Sequence, residues 1–423
     1  MGWPPTLAAM TLAPATRGPG PLDGVTVIDF SRVLSGPHCG RMLVDLGADV
    51  IKVEPPEGDT TRFSAPRVNS MATYFGQQNV GKKNISLDLR RPEAVELLLR
   101  LVEQADVVLE NFRPDVMATM GLGYEVLARR NPRLVYAAIT GYGQTGPWRR
   151  RRAYAPVVGA ESGLTYGQAT GRDMPVANDP YSHADVYTSL ECASAILAAL
   201  FQRERTGVGQ FIDVSMCETM LYVNEHLHWE LSPLTDQDLL EEVPSFRPGD
   251  CPVLPTADGH DVIVAGHPAA RGTFERYITV MQRPDLAADP RFASVQSRRH
   301  HLADLLDIMK AWSATFTDLG ALEDVFAKEG LAMGVVRSSA EVAATQWARD
   351  RDAIIEVSDR GGGTFRIPNS PWKFSAAETG ARGEPAYRGE HNRRILGERL
   401  GLDDATLDAL EESGVLSSRI PRR

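Results

Sequence analysis

Residues 25–54 read VTVIDFSRVLSGPHCGRMLVDLGADVIKVE, and this stretch decides the fold class. Residues 25–30 and 49–54 are rich in β-branched and other apolar side chains, and a helix-like segment, residues 39–46, separates them. A strand, a helix and a second strand within roughly 30 residues make a βαβ unit, whose two strands run parallel. We therefore expect a parallel sheet to begin here.

The same alternation continues along the chain. Further strands are predicted over residues 84–89, 106–110 and 134–140, with helices over residues 92–104 and 124–130 between them. Alternating β and α elements predict a doubly wound, Rossmann-like α/β domain with a parallel sheet. In such a sheet ligands bind beyond the carboxyl ends of the strands. The segments at those ends are residues 30–35, 54–55, 111–113 and 141–143.

The length of 423 residues exceeds one ordinary hydrophobic core, so more than one domain is expected. We predict a flexible lead at residues 1–20, a large α/β domain at 21–230, a linker at 231–250, a smaller α+β domain at 251–345, and a return linker with a C-terminal segment at 346–423. The C-terminal segment is expected to dock on the large domain.

Composition excludes several functional classes. A formal charge of −10 disfavours general nucleic-acid binding and points to small-molecule partners. No stretch approaches the ~18 uninterrupted apolar residues of a membrane span. The four cysteines form no CxxC pair, so neither a zinc site nor a disulfide framework is predicted, and reduced thiols in the cytoplasm are expected. HExxH, GxSxG and Walker motifs do not occur.

One glycine motif invites a dinucleotide-binding interpretation. Residues 141–146, GYGQTG, follow a predicted strand and match GxGxxG. Pro147, Trp148 and four arginines, residues 149–152, come next instead of an amphipathic helix, so no helix N-terminus is available for a pyrophosphate. We therefore favour a structural or substrate loop over NAD or FAD binding. The arginines are interpreted first as a solvated loop and second as a phosphate site.

Residues 182–189, SHADVYTS, contain the carboxylate that matters most. They lead into a segment with apolar residues at helical spacing, up to residue 201. The local pattern favours Asp185 as a helix N-cap, with Ser182 completing a loose capping box. The alternative is a nucleophilic carboxylate that the helix dipole keeps ionised. His183 is either a neighbour of this carboxylate or a plain loop residue.

Several spaced motifs, taken together, resemble the class III coenzyme A transferases, the family of formyl-CoA and carnitine-CoA transferases. The resemblance covers the chain from Pro21 onward. The motifs are residues 21–30 (PLDGVTVIDF), 36–37 with 46–54 (GP and LGADVIKVE), 82–88 (KKNISLD), 105–112 (ADVVLENF), 141–147 (GYGQTGP), 203–210 (RERTGVGQ) and 389–392 (GEHN).

The resemblance implies a two-domain subunit that pairs into an interlocked homodimer. It places the family's nucleophile on Asp185 and implies acyl-CoA and a free carboxylic acid as substrates, with no metal and no permanently bound cofactor. Lys82 and Lys83 are the residues expected to bind the ADP phosphates. Coenzyme A is expected along the strand-end loops at Val33, Leu34, Ser35, Lys82, Lys83, Asn111 and Phe112.

The resemblance also implies a covalent mechanism. Asp185 attacks the donor thioester to give an acyl-aspartyl anhydride, and the released CoA thiolate then forms an aspartyl-CoA thioester. The acceptor acid reverses both steps. Because an anhydride hydrolyses readily, the pocket must exclude water and supply oxyanion donors, for which we expect the glycine-rich residues 141–146 to serve.

Two alternatives to a transferase stay open, and one acceptor is doubtful. A racemase branch of the family uses a histidine in the segment that corresponds to residues 152–155, and this chain has Tyr154, a poor base at neutral pH. A non-catalytic CoA-binding protein is the second alternative. Among transferases, oxalate is a doubtful acceptor, because the tetraglycine loop of formyl-CoA transferase is missing and the glycine run, residues 361–363, lies elsewhere.

Overall fold

The computed structural model describes residues 19–69, 71–232 and 251–420. These residues form two compact units. The first contains residues 19–169 together with Pro175–Glu225 and the chain from Gln346 onward, and the second contains Thr170–Met174 and the described part of His226–Thr345. Most of the predicted lead, 1–20, and of the predicted linker, 231–250, lies outside the described residues.

A six-stranded parallel sheet forms the centre of the first unit. Its strands are β1 (Thr26–Asp29), β2 (Asp49–Glu54), β3 (Lys83–Ser86), β4 (Val107–Glu110), β5 (Val135–Thr140) and β6 (Gln210–Ser215). Their spatial order is β3-β2-β1-β4-β5-β6, which is the strand order of dinucleotide-binding sheets. The predicted parallel α/β sheet is confirmed.

Helices cover both faces of this sheet, which explains why its strands are nearly continuous apolar runs. Successive residues of a strand enter opposite cores: Val27 packs in one cluster with Leu43, whereas Ile28 packs in the other with Leu98. The helices up to residue 222 are α1 (Ser35–Asp45), α2 (Thr73–Asn79), α3 (Pro92–Val102), α4 (Val116–Thr119), α5 (Tyr124–Arg130), α6 (Ala155–Glu161), α7 (Leu164–Gly171), α8 (His183–Thr206) and α9 (Met216–Tyr222).

The second unit has its own apolar core and an antiparallel sheet. The strands are β7 (Val253–Pro255), β8 (Asp261–Val264) and β9 (Met333–Val335), with β8 in the middle. The helices are α10 (Leu227–Glu230), α11 (Thr273–Val280), α12 (Val295–His300), α13 (Leu302–Ser313), α14 (Leu319–Lys328) and α15 (Ser339–Ala343).

The C-terminal segment belongs to the first unit. It contains α16 (Gln346–Asp350), the antiparallel hairpin of β10 (Ile354–Ser358) and β11 (Thr364–Pro368), then α17 (Asn392–Leu400) and α18 (Asp404–Glu412). Helix α17 packs on α3 and β3, where Ile395 and Leu396 are fully buried. The edge strand β3 is thereby covered, which prevents open edge pairing.

Two predicted helices have different bounds. The helix predicted over residues 39–46 begins at Ser35, because Pro37 sits in its first turn, where a missing N–H costs nothing. Gly36 permits this start: a Cβ there would lie 2.1 Å from the Cβ of Ser31. The sequence also predicts a single helix over residues 218–230, and the structure has two short helices there, α9 and α10.

Candidate active site

Asp185 lies in the first turn of α8, and the predicted N-cap role is wrong. The helix begins at His183 and its N-cap is Ser182, whose carbonyl accepts the N–H of Val186 at 3.0 Å. Ser182 makes no side-chain capping bond. Asp185 does not cap its own helix, because its carboxylate hydrogen-bonds to residues at the starts of two other helices.

Three helix N-termini surround the Asp185 carboxylate. The N–H and the hydroxyl of Ser35, the first residue of α1, donate to it, as does the N–H of Ala155, the first residue of α6. The third N-terminus is that of α8 itself. No described lysine, arginine or histidine contributes to its charge balance. Oriented N–H groups and the positive ends of helices therefore stabilise the anion without neutralising it.

The net effect on Asp185 is a raised pKa. Burial raises the pKa of this carboxyl, and the donors from Ser35 and Ala155 offset only part of that rise. A desolvated carboxylate without a counter-ion keeps its lone pairs available for attack on an electrophile. The geometry thus fits a nucleophile better than a cap.

Asn111, at the end of β4, holds the loop that presents Ser35. Its Nδ2 donates to the Arg32 carbonyl at 2.8 Å and to Ser35 Oγ at 3.1 Å, while its Oδ1 accepts the Arg32 N–H at 2.8 Å. On the other side Ser189, one turn after Asp185, donates from Oγ to the Ser35 carbonyl at 2.6 Å. Ser35 is therefore held by Asn111 on one side and by Ser189 on the other.

A cleft of ≈ 420 Å³ opens beside this carboxylate at the carboxyl ends of β1, β4 and β5. It brings together five predicted site residues: Val33, Ser35, Asn111, Phe112 and Asp185. The other lining residues are Arg32, Arg113, Pro114, Val116, Ile139, Thr140, Gly141, Arg149, Arg151, Arg152, Ala153, Tyr154 and Met216. The rule that ligands bind beyond the carboxyl ends of parallel strands (the strand-end principle) thus predicted where the cleft lies. Most of the residues that line it were not predicted individually.

Arginines make this cleft strongly cationic. Arg149 pairs with Asp115 at 2.7 Å and Arg151 pairs with Glu161. The other three arginines of the lining, Arg32, Arg113 and Arg152, form no ion pair with any residue that the structure describes. On a protein of charge −10, such a local excess of positive charge favours an anionic ligand. Three arginines of the run 149–152 therefore line the cleft, whereas Arg150 does not, and the run is also largely exposed to solvent.

Three predicted coenzyme A contacts do not line the cleft. Leu34 is the N-cap of α1 and is buried. Lys83 pairs with Asp49 at 2.7 Å. Lys82 is 2% exposed, and its ammonium donates to Asp29 at 2.8 Å, to the Pro37 carbonyl at 2.8 Å and to the Asn79 side chain at 3.0 Å.

The expected phosphate contact by Lys82 is therefore contradicted by its surroundings. An ammonium group has three donors, and three internal acceptors use them. Burial lowers the pKa of Lys82 to about 8, and the attraction of Asp29 offsets part of this effect. Lys82 acts as an internal tie between β1 and the chain before β3, and nothing in its geometry leaves a donor for a phosphate.

The glycine loop, residues 141–146, contributes less than expected. No helix follows it until Ala155, in agreement with a loop that is not of the dinucleotide-binding type. Gly141 lines the cleft, but the Gly143 N–H donates to Thr140 at 2.9 Å and the Gln144 N–H donates to Asp213 at 2.8 Å. Two of the expected oxyanion donors are therefore already bonded within the protein.

Tyr74, on α2, does not line the cleft but feels the charge of Asp185, and no sequence motif marks it. Burial raises its pKa to about 12, and the charges of Asp185 and Asp59 add to that rise. The hydroxyl therefore stays protonated and lies within electrostatic range of Asp185. Tyr154 is the N-cap of α6, is 65% exposed and lines the cleft at the position discussed for the racemase branch.

His183 does not face the cleft. Its Nδ1 bonds to Asp179 and its ring stacks on Tyr187 at 5.3 Å. Because residues two apart on a helix point in different directions, this cluster and Asp185 occupy different sides of α8.

Neither a metal nor a membrane finds clear support. Within the described ranges no group of three His, Cys, Asp or Glu side chains could hold a metal ion. In the same part of the chain, α8 is the one helix whose length and composition would allow it to cross a membrane, with 44% of the relevant window buried in the protein. Core helices of globular proteins have the same properties, so this is weak support for a span.

Comparison with known proteins identifies the family. A model described as CoA-transferase family III matches residues 22–392. Succinyl-CoA--D-citramalate CoA-transferase of Chloroflexus aurantiacus is 34% identical over 405 residues, which are 95% of this chain and 99% of that protein. Succinate--glutarate CoA-transferase of Agrobacterium fabrum is 34% identical over 392 residues, 89% of this chain and 95% of that protein.

Solved structures agree with this relationship. The structure of a CAIB/BAIF family protein from Brucella suis is 34% identical in sequence and has a TM-score of 0.76. The match covers 90% of this chain and 100% of that protein. The family model and these relatives span nearly the whole chain, including the residues around Asp185. The chain therefore belongs to CoA-transferase family III and is a CoA-transferring enzyme.

Proposed function

We propose that this enzyme moves coenzyme A from an acyl-CoA donor to a free carboxylic acid through covalent intermediates on Asp185. The single observation that carries the proposal is a carboxylate that has hydrogen-bond donors but no ion-pair partner among the described residues, beside an arginine-lined cleft. The arginines match the phosphates of coenzyme A, and the carboxylate matches the thioester carbon. Acyl-CoA and a carboxylic acid are also the substrates in the names of the relatives.

The chemistry follows from the contacts of Asp185. Its carboxylate attacks the thioester carbonyl, the C–S bond breaks, and CoA leaves as a thiolate, giving an acyl-aspartyl anhydride. The thiolate then attacks Cγ of Asp185 and releases the donor acid. In this second step negative charge develops on an oxygen of Asp185 itself, where the Ser35 and Ala155 donors already point. These donors therefore stabilise both the free carboxylate and the tetrahedral intermediate.

Trapping tests this mechanism. Incubation with a donor acyl-CoA and hydroxylamine should inactivate the enzyme and leave a hydroxamate on the peptide that contains Asp185, as read by mass spectrometry. The matched control is Asp185→Asn, which keeps the size of the side chain and should give no adduct. A transfer-competent wild-type enzyme that forms no adduct would disprove the covalent mechanism.

The identity of the acids is best found with a panel. Small dicarboxylates are our first choice, because the two relatives named above act on succinate, glutarate or citramalate by their names. Oxalate belongs in the panel as the acceptor that we expect to fail. Racemase activity is tested with a 2-methylacyl-CoA in deuterated water: we expect no deuterium at the α-carbon, since Tyr154 replaces the histidine base.

We further propose that the enzyme is a cytoplasmic homodimer. Helix α8 exposes Leu190, Leu197 and Phe201, which lie along one side of the helix at spacings of seven and four residues. Phe201 is 66% exposed, and an apolar row of this kind marks an interaction surface. Light scattering on the purified enzyme should give twice the mass of the chain, and Phe201→Glu should shift the equilibrium towards the monomer.

A further inference from the structure

Val33 has a backbone conformation that its side chain disfavours. Its φ is +67°, in the left-handed region, and valine is β-branched. Val33 lines the cleft and lies two residues before Ser35, which donates to Asp185. Such a conformation persists only where the surroundings over-determine it, and it is enriched at functional sites.

The contact that holds Val33 comes from Asp59. Oδ2 of Asp59 accepts the Val33 N–H at 3.2 Å and also faces the ammonium of Lys52 at 3.2 Å. Lys52 in turn donates to the Ser31 carbonyl at 2.6 Å, so the segment before Val33 is tied to the same pair. Asp59 and Lys52 are 0% and 1% exposed. This arrangement is dry and internally bonded.

The second oxygen of Asp59 fixes the carboxylate in place. Oδ1 accepts the N–H of Thr61 at 3.0 Å and its hydroxyl at 2.8 Å, and the Asp59 N–H donates to Glu54 at 2.9 Å. Each oxygen therefore has its own set of donors. Asp59 cannot turn away from Val33 without giving up contacts on both sides.

We propose that Asp59 is a positioning residue: by accepting the Val33 N–H it holds this residue in the left-handed conformation and so sets where Ser35 presents its donors to Asp185. The chain of contacts runs from Asp59 to Val33, through the start of α1 to Ser35, and from there to the carboxylate. The inference rests on the proposed role of Asp185 as the nucleophile. Asp59 itself does not line the cleft.

Asp59→Asn is the informative substitution. The amide oxygen is expected to keep the two Thr61 donors, which leaves the amide NH₂ facing the Val33 N–H and the Lys52 ammonium, so that donors face donors. Val33 then loses its acceptor and relaxes towards negative φ. The matched control is Thr61→Val, which removes one donor to Oδ1 and leaves both contacts of Oδ2 intact.

A double-mutant cycle with Val33→Gly separates positioning from mere stability. Glycine adopts a positive φ without steric cost, so the Val33→Gly enzyme no longer needs Asp59 to hold the turn. We expect Asp59→Asn to lower kcat by about tenfold or more when Val33 is present and by less than about threefold when it is combined with Val33→Gly. An equal loss in both backgrounds would overturn the proposal.

The pH profile gives a second readout. The Ser35 donors lower the pKa of Asp185, so their displacement lets that pKa rise, and the acid limb of kcat/KM should move to higher pH in Asp59→Asn but not in Thr61→Val. An acid limb that stays in place, together with a lower Tm, would assign Asp59 a purely structural role and overturn the proposal.

Two provisions keep the test decisive. If Asp59→Asn does not fold because it leaves Lys52 as a buried, unpaired charge, the cycle is run with the pair K52Q and D59N. Hydrogen exchange at the Val33 amide reports the Asp59 contact without any turnover: exchange should be slow in the wild type and fast in Asp59→Asn. Failure of the Asp185 adduct would reject the proposed function, whereas unchanged Val33 exchange would reject this inference.

Discussion

Asp59 and Asp185 are two carboxylates of the same unit with opposite electrostatic surroundings. Burial raises the pKa of Asp59, but Lys52 and the Thr61 donors outweigh it, so the net pKa is below the ordinary aspartate value. Burial also raises the pKa of Asp185, and there only hydrogen-bond donors oppose it, so the net pKa is above that value. Both carboxyl groups are desolvated by burial, but only Asp59 has a neighbouring cation, Lys52.

This difference separates framework carboxylates from a reactive one. Glu54 resembles Asp59: it binds Arg62 through both oxygens, at 2.7 and 2.8 Å, and its pKa is lowered despite burial. An ion-paired carboxylate is stable but shares its lone pairs with the cation, which makes it a poor nucleophile. Asp185 has hydrogen-bond donors but no cation among the described residues, and this is the property that the proposed attack requires.

The largest expected effect is that of Asp185→Asn. We expect kcat to fall by at least about 10⁴-fold, because an amide cannot form the anhydride. Stability should be unchanged or slightly higher, since the substitution removes a desolvated charge that has no cationic partner among the described residues. Steady-state kinetics and thermal unfolding measure the two quantities.

Two results would contradict the distinction between Asp185 and Asp59: an Asp185→Asn enzyme that keeps more than a few per cent of the activity, or one whose Tm falls by several degrees. The first result would remove Asp185 from the chemistry. The second would show that its charge stabilises the fold, as an ion pair does.

The next largest effect is expected on stability, from Lys82→Met. The substitution leaves Asp29 buried without its partner, and breaking a buried pair in this way costs about 3–5 kcal/mol. Because Lys82 does not line the cleft and its donors are used internally, the KM for acyl-CoA should change by less than about twofold, whereas the loss of a direct phosphate contact would raise it by tenfold or more. Urea unfolding and kinetics at two salt concentrations measure both.

Lys83→Met is the matched control, since Lys83 is the neighbouring lysine and its pair with Asp49 is partly exposed. It should cost no more than about 1 kcal/mol. A marked, salt-dependent rise in KM for Lys82→Met but not for Lys83→Met would restore the original expectation that Lys82 binds phosphate.

The sequence was sufficient for the sheet and for the location of the cleft. Alternation of β and α segments predicted a parallel sheet, and the strand-end principle predicted that Val33, Ser35, Asn111 and Phe112 would meet. Both depend on chain-local patterns and on one general property of parallel sheets. The local pattern could not decide the role of Asp185, because a nucleophile and a cap share the same residue type at a helix start.

The remaining features depend on contacts between distant segments. Ser35 and Ala155 approach Asp185 only after α1, α6 and α8 have packed together. Likewise, only the folded chain surrounds Lys82 with internal acceptors and places Lys83 beside Asp49. Sequence alone shows two equivalent lysines. Burial makes Lys82 an internal tie, whereas Lys83 pairs with Asp49 and does not line the cleft.

A smaller effect is expected from Ser35→Ala, which removes one of the donors that replace a cation at Asp185. The backbone N–H groups of Ser35 and Ala155 remain, so we expect kcat to fall by about tenfold, less than the roughly 10²- to 10³-fold loss that follows removal of a principal oxyanion donor. The pKa of Asp185 should rise, and activity should be lost at a higher pH as the solution is acidified. The pH dependence of kcat/KM measures this shift.

Ser189→Ala serves as its control, because Ser189 donates to the carbonyl of Ser35 and not to the carboxylate. A smaller change in kcat and an unshifted acid limb are expected there. If both variants behaved alike, the hydroxyl of Ser35 would matter only for packing.

Glu110 extends the comparison to a carboxyl group with neither a cation nor access to substrate. It is 5% exposed, accepts the Phe112 N–H at 2.7 Å and does not line the cleft. Burial raises its pKa from 4.5 to about 8, and hydrogen bonds from Phe112 and Tyr136 oppose the rise only in part. Glu110 is therefore protonated at neutral pH, unlike the carboxylate that Asp185 must supply.

This state has a measurable consequence for stability. Between the unfolded pKa of 4.5 and the folded pKa of about 8, the folded protein holds a proton that the unfolded chain has released. The contribution of Glu110 is thus fully present below pH 4.5 and is lost as the pH rises. Relative to Glu110→Gln, which cannot titrate, the wild type should lose on the order of 2 kcal/mol between pH 5 and pH 7, measured by urea unfolding. If the wild type loses no stability relative to Glu110→Gln over this interval, or gains some, Glu110 is ionised in the folded protein. Burial without a cation would then not be enough to distinguish Asp185 from the other buried carboxylates.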